Sequence, residues 1–134
     1  MKYKKEKTEK RKTGDIGEEL TCKYLISKGY KILDRNFSCK YGELDIVAAN
    51  NTHIAFVEVK TRHETPIIRP CLAVNKSKQI KIMKVAYLYL RKPKVNLQPR
   101  FDIAEVYLKR DTNELHHINY IKNAFMQEGD YAAF

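Results

Sequence analysis

Two segments of the sequence decide its fold: residues 42–49, GELDIVAA, and residues 54–60, IAFVEVK. Side chains point alternately to the two faces of an extended strand, so each segment separates its charged residues from part of its apolar ones. Between the segments lies Asn50-Asn51, a residue pair that favours a tight turn. The pattern therefore predicts an antiparallel β-hairpin, and the rest of the chain is interpreted outward from it.

The alternation assigns the charged residues of this hairpin to one face. It points Asp45 away from Leu44 and Ile46, and it places Glu58 and Lys60 together on one face of the next strand. One explanation is a solvated strand face on which Glu58 and Lys60 form cross-strand ion pairs. The other explanation is a functional site.

The register of the hairpin decides how close the two carboxylates lie. If Ala48 pairs with His53, Glu43 lies opposite Glu58, and Asp45 becomes the diagonal neighbour of Glu58. Diagonal neighbours are about 7–8 Å apart at Cα, a distance that converging side chains can span. A β-bulge in either strand would break this inference.

Two carboxylates that converge repel each other unless a cation lies between them. A hard cation such as Mg²⁺ or Mn²⁺ accepts oxygen ligands and keeps several of its waters. Held by Asp45 and Glu58, it would lower the pKa of a bound water and polarise a phosphodiester. Lys60 would orient that water or neutralise the charge that grows on the phosphate. The candidate catalytic residues are therefore Asp45, Glu58 and Lys60, with Asp45 and Glu58 as metal ligands.

Outside the hairpin, the spacing of apolar residues predicts two helices and three further strands. A first helix begins near Thr13-Gly14-Asp15 and ends at Gly29, and a second helix extends over Lys76–Leu90. The predicted strands are Tyr30–Phe37, Glu43–Ala49, Ile54–Lys60, Arg100–Leu108 and Leu115–Tyr120. The order α-β-β-β-α-β-β predicts an α/β protein in which helices pack on a mixed sheet.

The composition favours one domain with a basic extension. At 134 residues the chain has room for one modest core, which we assign to residues 14–134. Residues 1–13 carry seven Lys or Arg and two Glu, so we expect a disordered basic arm or a frayed helical lead-in. The net charge of +10 suggests a polyanionic partner such as DNA, although a solubilising basic surface would explain it equally well.

The sequence shows no signal for a membrane or for export. No apolar run approaches the roughly 20 residues that a transmembrane helix needs. The N-terminal residues lack the apolar segment of a secretory signal. We therefore expect a cytoplasmic protein that does not contact a membrane.

Asp45, a gap of twelve residues and then Glu58-Val59-Lys60 resemble the bipartite motif of the PD-(D/E)xK nuclease superfamily. Leu44 stands where the name of the motif has Pro, a position that varies within the superfamily. The order α-β-β-β-α-β is similar to the core of its members. The resemblance implies a restriction-endonuclease-like αβββαβ core and a metal-dependent endonuclease that hydrolyses DNA phosphodiesters.

A closer resemblance, over roughly residues 14–125, is to the YraN-type family of small, largely uncharacterised bacterial proteins, which resemble Holliday junction resolvases. Segments that carry it include Gly14-x-x-Gly17-Glu18, Asn36, Gly42-Glu43-Leu44-Asp45, Phe56-Val57-Glu58-Val59-Lys60-Thr61-Arg62 and Arg100-Phe101-Asp102. The resemblance implies DNA as the partner, with branched DNA among the candidates, and a homodimer if junctions are cut symmetrically. The alternative function is a DNA-binding module of the same fold without catalytic activity.

The same resemblance implies further site residues. Glu18 would join the catalytic residues from the first helix, although the helix dipole explains an acid near a helix N-terminus equally well. The candidate contacts to nucleic acid are Arg62, Lys78, Gln79 and Arg100. For Lys78 and Gln79 a solvated helix face is the simpler explanation, and for Arg62 and Arg100 the alternative is a structural ion pair with a carboxylate.

Overall fold

The computed structural model describes residues 8–64, 68–91 and 96–126. Two helices, five strands and one short 3₁₀ helix follow one another, and the predicted order of helices and strands is confirmed. They are α1 (Glu9–Ser27), β1 (Lys31–Cys39), β2 (Gly42–Ala49), β3 (His53–His63), the 3₁₀ helix (Pro70–Ala73), α2 (Lys76–Tyr89), β4 (Gln98–Leu108) and β5 (Leu115–Phe125). Residues 1–7 of the expected arm and residues 127–134 of the expected domain lie outside the described residues.

The five strands form one mixed sheet in the order β1-β2-β3-β4-β5. Neighbouring strands are antiparallel, except that β3 and β4 are parallel. A parallel pair needs a crossover connection, and α2 is the helix of that connection. The fold is therefore α/β, a mixed sheet flanked by two helices, with a restriction-endonuclease-like αβββαβ core. None of the helices formed by the described residues is long and apolar enough to cross a membrane.

Both faces of the sheet are covered, as the side chains of β3 show. Ile54 and Phe56 pack in a cluster with α2 residues such as Val85. Val57, on the other face, packs in a second cluster with α1 residues such as Leu25. The sheet therefore separates two apolar clusters, one under each helix.

β4 differs from the alternating strand that the sequence predicted for Arg100–Leu108. Residues 101–106 are buried without interruption, because β4 lies inside the sheet and is covered on both faces. β5 continues beyond its predicted end at Tyr120, and its pairing with β4 extends to Phe125.

α1 begins at Glu9, before the predicted start at Thr13-Gly14-Asp15. Thr8 is the N-cap, and its hydroxyl oxygen accepts a hydrogen bond from the backbone N–H of Arg11 at 3.1 Å. Lys12 forms an ion pair with Glu9 at 3.6 Å, one turn apart on the helix. Residues 9–13 of the expected basic arm are therefore helical, in agreement with the alternative of a helical lead-in.

The register of β2 and β3 also differs from the predicted one, by two residues. Ala48 pairs with Ala55, so the predicted pairing of Ala48 with His53 is wrong. The cause lies in the turn, where Asn50 Oδ1 accepts hydrogen bonds from the backbone N–H groups of Thr52 and His53, at 3.0 and 2.8 Å. The backbone N–H of Asn50 also donates to the carbonyl of His53 at 3.0 Å, so the turn is centred on Asn51-Thr52 rather than on Asn50-Asn51.

The corrected register changes how the two carboxylates face each other. The backbone pairing extends from the turn to Ile46 and Val57. The next residues along the strands are Asp45 and Glu58, which are therefore direct rather than diagonal neighbours. A shift of two residues preserves the alternation of faces, so the expected approach of Asp45 to Glu58 does not depend on this error.

Leu44 and Ile46 do not share a face, contrary to the predicted alternation. Leu44 packs in the cluster under α2, whereas Ile46 packs in the cluster under α1. In the neighbouring strand Asn36 has a positive φ of 52°, and the regular pairing of β1 with β2 skips this residue. Such a residue interrupts the alternation locally, and Asp45 lies opposite the interruption.

Candidate functional site

Asp45 and Glu58 lie where the backbone pairing of β2 and β3 ends. Here the Asp45 carboxylate, through Oδ2, accepts a hydrogen bond from the backbone N–H of Val59 at 2.8 Å. The Glu58 carboxyl group acts on Asp45 through its charge and, more weakly, through hydrogen bonding, and both effects raise the pKa of Asp45. The two acidic side chains therefore lie beside each other.

Burial and charge both disfavour the ionised form of Asp45. Burial raises the pKa of Asp45 to about 8, the Glu58 carboxylate beside it is the second cause, and the N–H group of Val59 opposes both. Two carboxyl groups in contact can share one proton, which relieves their repulsion. A divalent cation at the same place would relieve it in the same way.

Two lysines flank Glu58. The Nζ atom of Lys78 lies 2.8 Å from Glu58 Oε1, and that of Lys60 lies 3.6 Å from the same oxygen. Lys78 is in the first turn of α2, where its backbone N–H donates to Oδ1 of the capping Asn75 at 3.0 Å. The cap therefore helps to hold the first turn of α2 beside the carboxylate pair.

The pKa values of the two lysines are shifted in opposite directions. Burial, together with the neighbouring Lys78, lowers the pKa of Lys60. Burial acts in the same direction on Lys78, but its hydrogen bond to Glu58 prevails and the pKa of Lys78 is raised. Lys60 is therefore the lysine of the pair that gives up its proton more readily.

Glu18 reaches the edge of the site through a close contact between α1 and β3. A Cβ atom on Gly17 would collide with Thr61 Oγ1 and would lie 2.9 Å from Thr61 Cβ, so this approach requires glycine. Within the described ranges Glu18 Oε1 is buried and has no hydrogen-bond partner. The Glu18 charge also contributes to the raised pKa of Asp45. Of the two explanations for Glu18, proximity to the site is therefore supported.

Asn36 is a neighbour of the site to which the sequence assigned no role. Burial raises the pKa of Glu18, and a hydrogen bond from the Asn36 side chain partly opposes this effect. Asparagine adopts the left-handed backbone conformation found here, with φ of 52°, more readily than most residues. An asparagine inside the predicted strand Tyr30–Phe37 was the sequence signal for this left-handed residue.

Two clefts meet at the carboxylate pair, and both are lined by Asp45, Glu58 and Lys78. The larger, of about 880 Å³, lies between the start of α1 and the end of β3. Its other polar lining includes Lys10, Arg11, Glu18, Lys60, Arg62 and His63. The smaller, of about 450 Å³, extends along the start of α2 to Lys81. The pair is therefore accessible from two sides. The sequence had assigned no role to His63, and it had assigned Lys10 and Arg11 only to the basic arm of residues 1–13.

The four candidate contacts to nucleic acid fall into two groups. Arg62 and Lys78 line the larger cleft. Gln79 and Arg100 line neither of these two clefts. The side-chain amide of Gln79 donates to the backbone carbonyl of Val74 at 3.0 Å. The structure therefore gives this side chain a hydrogen bond at the start of α2 and no position in either cleft.

Arg100 is the ion-pair partner of a buried carboxylate, which is the alternative that the sequence left open for this residue. Its guanidinium donates to both oxygens of Asp102, at 2.8 to 3.1 Å, and to the hydroxyl of Tyr30. The hydroxyl of Tyr120 and the backbone N–H of Asn123 also donate to Asp102, at 2.6 and 2.8 Å. The network therefore joins β4 to β5 and to the start of β1.

The carboxylate pair fits a hard divalent cation. In the described part of the chain, no three or more His, Cys, Asp and Glu side chains are gathered as a metal site, so the donors in place are Asp45 and Glu58. Mg²⁺ is often held by one or two carboxylates, with waters in its other positions. Glu18, whose buried Oε1 lacks a described partner, offers a further oxygen at the edge of the site.

The model of the uncharacterised protein family UPF0102 matches residues 17–106. A UPF0102 protein of Caldanaerobacter subterraneus subsp. tengcongensis is 46% identical over 120 residues, which cover 89% of this chain and 98% of the relative. UPF0102 proteins of Alkaliphilus metalliredigens and Clostridioides difficile are 44% and 45% identical over 113 residues, which cover 84% of this chain and 96% and 95% of the relatives. The range matched by the family contains Glu18, Asp45, Glu58 and Lys60, and it begins after the first two turns of α1.

Proposed function

We propose that this chain, which belongs to the uncharacterised protein family UPF0102, is a metal-dependent DNA endonuclease of the PD-(D/E)xK type. The observation that carries the proposal is the position of Asp45 and Glu58, neighbouring acidic residues that both line two open clefts. Holding two acidic groups in contact is unfavourable unless a proton or a cation lies between them. A metal ion that acts on a phosphate substrate would account for this arrangement.

In this proposal Asp45 and Glu58 hold one Mg²⁺ or Mn²⁺, which supplies polarisation of the phosphodiester and a more acidic water. The backbone N–H of Val59 keeps the Asp45 carboxylate oriented toward Glu58. Glu18 accepts a hydrogen bond from a water of the site, since its Oε1 lacks a partner among the described residues. The three acidic residues thus act on the ion and on the water around it.

Lys60 acts on the reacting groups rather than on the metal. Its ammonium group lies 3.6 Å from Glu58 Oε1, and 17% of the side chain is exposed. A lysine with a lowered pKa in this position can steady the attacking water or the phosphate. Hydrolysis joins the oxygen of water to phosphorus and breaks one P–O ester bond, leaving a phosphate monoester and a hydroxyl group.

The charge of the molecule favours DNA as the substrate. The net charge is +10, and basic residues such as Lys10, Arg11 and Arg62 line the larger cleft. Contacts between such residues and phosphates release condensed counterions, which drives binding. Branched DNA is included among the substrates proposed, and symmetrical cleavage of a junction would require two sites and hence a homodimer. Such an enzyme would act in the cytoplasm.

The test is cleavage of branched and linear DNAs with Mg²⁺, with Mn²⁺ and with a chelator. We expect metal-dependent cleavage by the wild type. In Lys60→Ala we expect a rate about 10²–10³-fold lower at nearly unchanged DNA affinity, because one transition-state contact is lost. Lys84→Ala removes an exposed lysine of α2 that lines neither cleft, and it should cut like the wild type. Normal cleavage by Lys60→Ala would mean that Lys60 is only a solvated strand lysine.

A DNA-binding module of the same fold without activity is the second candidate. The observation that favours it is Lys78, whose Nζ lies 2.8 Å from Glu58 Oε1 and already places a positive charge against the acidic pair. Calorimetric titration with Mn²⁺ separates the candidates. An endonuclease should bind the ion and lose this binding in Asp45→Ala, whereas a module should bind DNA but neither bind Mn²⁺ nor cut any DNA of the panel.

A further inference from the structure

The first two turns of α1 form one wall of the larger cleft. Lys10, Arg11, Thr13 and Gly14 line it together with the carboxylate pair. Their backbone is helical and capped by Thr8, so the wall is an ordered part of the site. It also precedes residue 17, where the match to the family begins. The wall is therefore a feature of this chain that the family match does not include.

The charge of this wall is positive. Lys10 and Arg11 are exposed, whereas the charge of Glu9 is balanced by the ion pair with Lys12 at 3.6 Å. The N-terminal end of a helix adds positive potential of its own. Across the cleft, the end of β3 contributes Arg62. Cations on both walls, with carboxylates at the meeting point of the clefts, form a groove suited to a chain of phosphates around one metal ion.

The groove continues beyond the carboxylate pair. The smaller cleft shares Asp45, Glu58 and Lys78 with the larger one, and Lys81 of α2 contributes a further positive charge there. A strand that lies in both clefts would therefore extend on both sides of the phosphate at the acidic pair.

We propose that Lys10 and Arg11 bind the phosphate backbone of one DNA strand on one side of the phosphate that is cut. This inference rests on the proposed function, which identifies the bound polyanion as DNA. It assigns to the start of α1 a role in DNA affinity and none in the chemical step. A strand bound along both clefts has nucleotides on either side of the cut, so the substrate class is an internal phosphodiester rather than a strand end.

The test compares two double variants that remove the same charge. Lys10→Ala/Arg11→Ala changes the wall, and alanine, the best helix former, should preserve α1. Lys23→Ala/Lys84→Ala removes exposed lysines of α1 and α2 that line neither cleft. Binding of a short synthetic DNA, single-stranded and duplex, is measured in chelator over a range of salt concentrations. We expect the salt slope of log affinity to fall by roughly two units in the wall variant and to stay at the wild-type value in the control.

Equal slopes in the two double variants would overturn the inference, because net charge alone would then explain binding. Absence of DNA binding by the wild type would overturn it as well. Because DNA binding is measured in chelator, the measurement does not depend on metal-dependent cleavage. Wall-dependent binding without cleavage in any metal would support the contact of Lys10 and Arg11 with the DNA backbone and would overturn both the proposed endonuclease and the assignment of an internal phosphodiester as substrate. Metal-dependent cleavage together with a wild-type salt slope of DNA binding in the wall variant would support the proposed endonuclease and overturn the inference about the wall. Circular dichroism of both variants checks that α1 is retained.

Discussion

The carboxyl group of Asp45 has neighbours that act on its charge in opposite directions. The backbone N–H of Val59 stabilises the ionised form, whereas burial and the contact with Glu58 favour the protonated form and prevail. Without a metal, the acidic pair therefore keeps a shared proton up to about pH 8. Above that pH both carboxylates are ionised, and the repulsion that the neighbouring lysines leave between them is the physical basis for the proposed affinity for a divalent ion.

Asp45→Asn should stabilise the metal-free protein at alkaline pH. Because folding raises the pKa of Asp45 from 3.8 to about 8, the proton contributes stability that is complete below about pH 4 and is lost as the pH rises to about 8. Asparagine can keep both hydrogen bonds without a charge. At pH 9 in chelator we expect a gain of about 1 kcal/mol, or roughly 3–6 °C in melting temperature. Thermal unfolding followed by circular dichroism between pH 5 and pH 9 measures it.

Glu114→Gln is the control for this experiment, since Glu114 is an exposed carboxylate in the turn before β5. Its melting temperatures should follow those of the wild type across the pH range. Added Mn²⁺ should stabilise the wild type at pH 9 but not Asp45→Asn, because only the wild type would bind the ion. Parallel pH profiles for wild type and Asp45→Asn in chelator would contradict the raised pKa.

Among the helices and strands, the site depends on how closely α1 approaches β3. Gly17 faces the side chain of Thr61 without room for a Cβ atom between them. On the helix itself the hydroxyl of Thr21 donates to the carbonyl of Gly17 at 2.7 Å. This contact sets the position of the neighbouring Glu18, and with it the distance of the whole start of α1 from the carboxylate pair.

Gly17→Ala should destabilise the fold by about 1–3 kcal/mol, because overpacking at this contact outweighs the better helix propensity of alanine. Metal-dependent cleavage should fall as well, since Glu18 and the start of α1 would be displaced. Gly14→Ala is the matched control for stability. A Cβ atom there meets nothing within 4 Å, so we expect a gain of about 0.5–1 kcal/mol. Urea denaturation measures both changes.

A second substitution tests the cause of this loss. Thr61→Ala in the Gly17→Ala background removes the hydroxyl group that meets the new methyl, so part of the stability should return. If Gly17→Ala instead stabilised the protein as much as Gly14→Ala, the close contact between α1 and β3 would be refuted.

Across the whole molecule, acidic groups have two different tasks. Asp45 and Glu58 lie at open clefts, where a ligand can reach them. Asp102 and Glu105 have no exposed surface, and each is satisfied by donors from several elements. Glu105, for example, accepts from the Arg69 side chain at 3.2 Å and from Asn119 at 2.8 Å. Asp102 and Glu105 therefore brace the sheet, whereas Asp45 and Glu58 line clefts that a ligand can enter.

Arg100→Met should destabilise the protein by about 3–5 kcal/mol, because it leaves the buried charge of Asp102 without its cation. The salt slope of DNA binding should not change. In Arg100→Met/Asp102→Asn part of the stability should return, since the amide oxygen of asparagine can still accept from the backbone N–H of Asn123 while its NH₂ group donates to the hydroxyl oxygen of Tyr120. Urea denaturation and DNA titrations measure these effects. A slope lower by about one in Arg100→Met would restore Arg100 as a phosphate contact.

The sequence by itself determined the order of helices and strands, the hairpin, and the approach of Asp45, Glu58 and Lys60 to one another. Each of these follows from local periodicity, because the spacing of apolar residues records which side of a helix or strand is buried. Even the error in register did no harm here, since a shift of two residues keeps every side chain on its face.

Only the tertiary structure decided which residues of the chain pair with one another. The side chain of Asn50 closes the turn that sets the register, and the alternation of faces is interrupted between Leu44 and Ile46, opposite the left-handed backbone at Asn36. Contacts across the fold brought Lys78 to Glu58 and committed Arg100 to Asp102. These outcomes depend on free energies of contact between residues far apart in the chain. A local pattern specifies that a residue is charged or buried, but the partner that satisfies it is chosen only when the elements pack together.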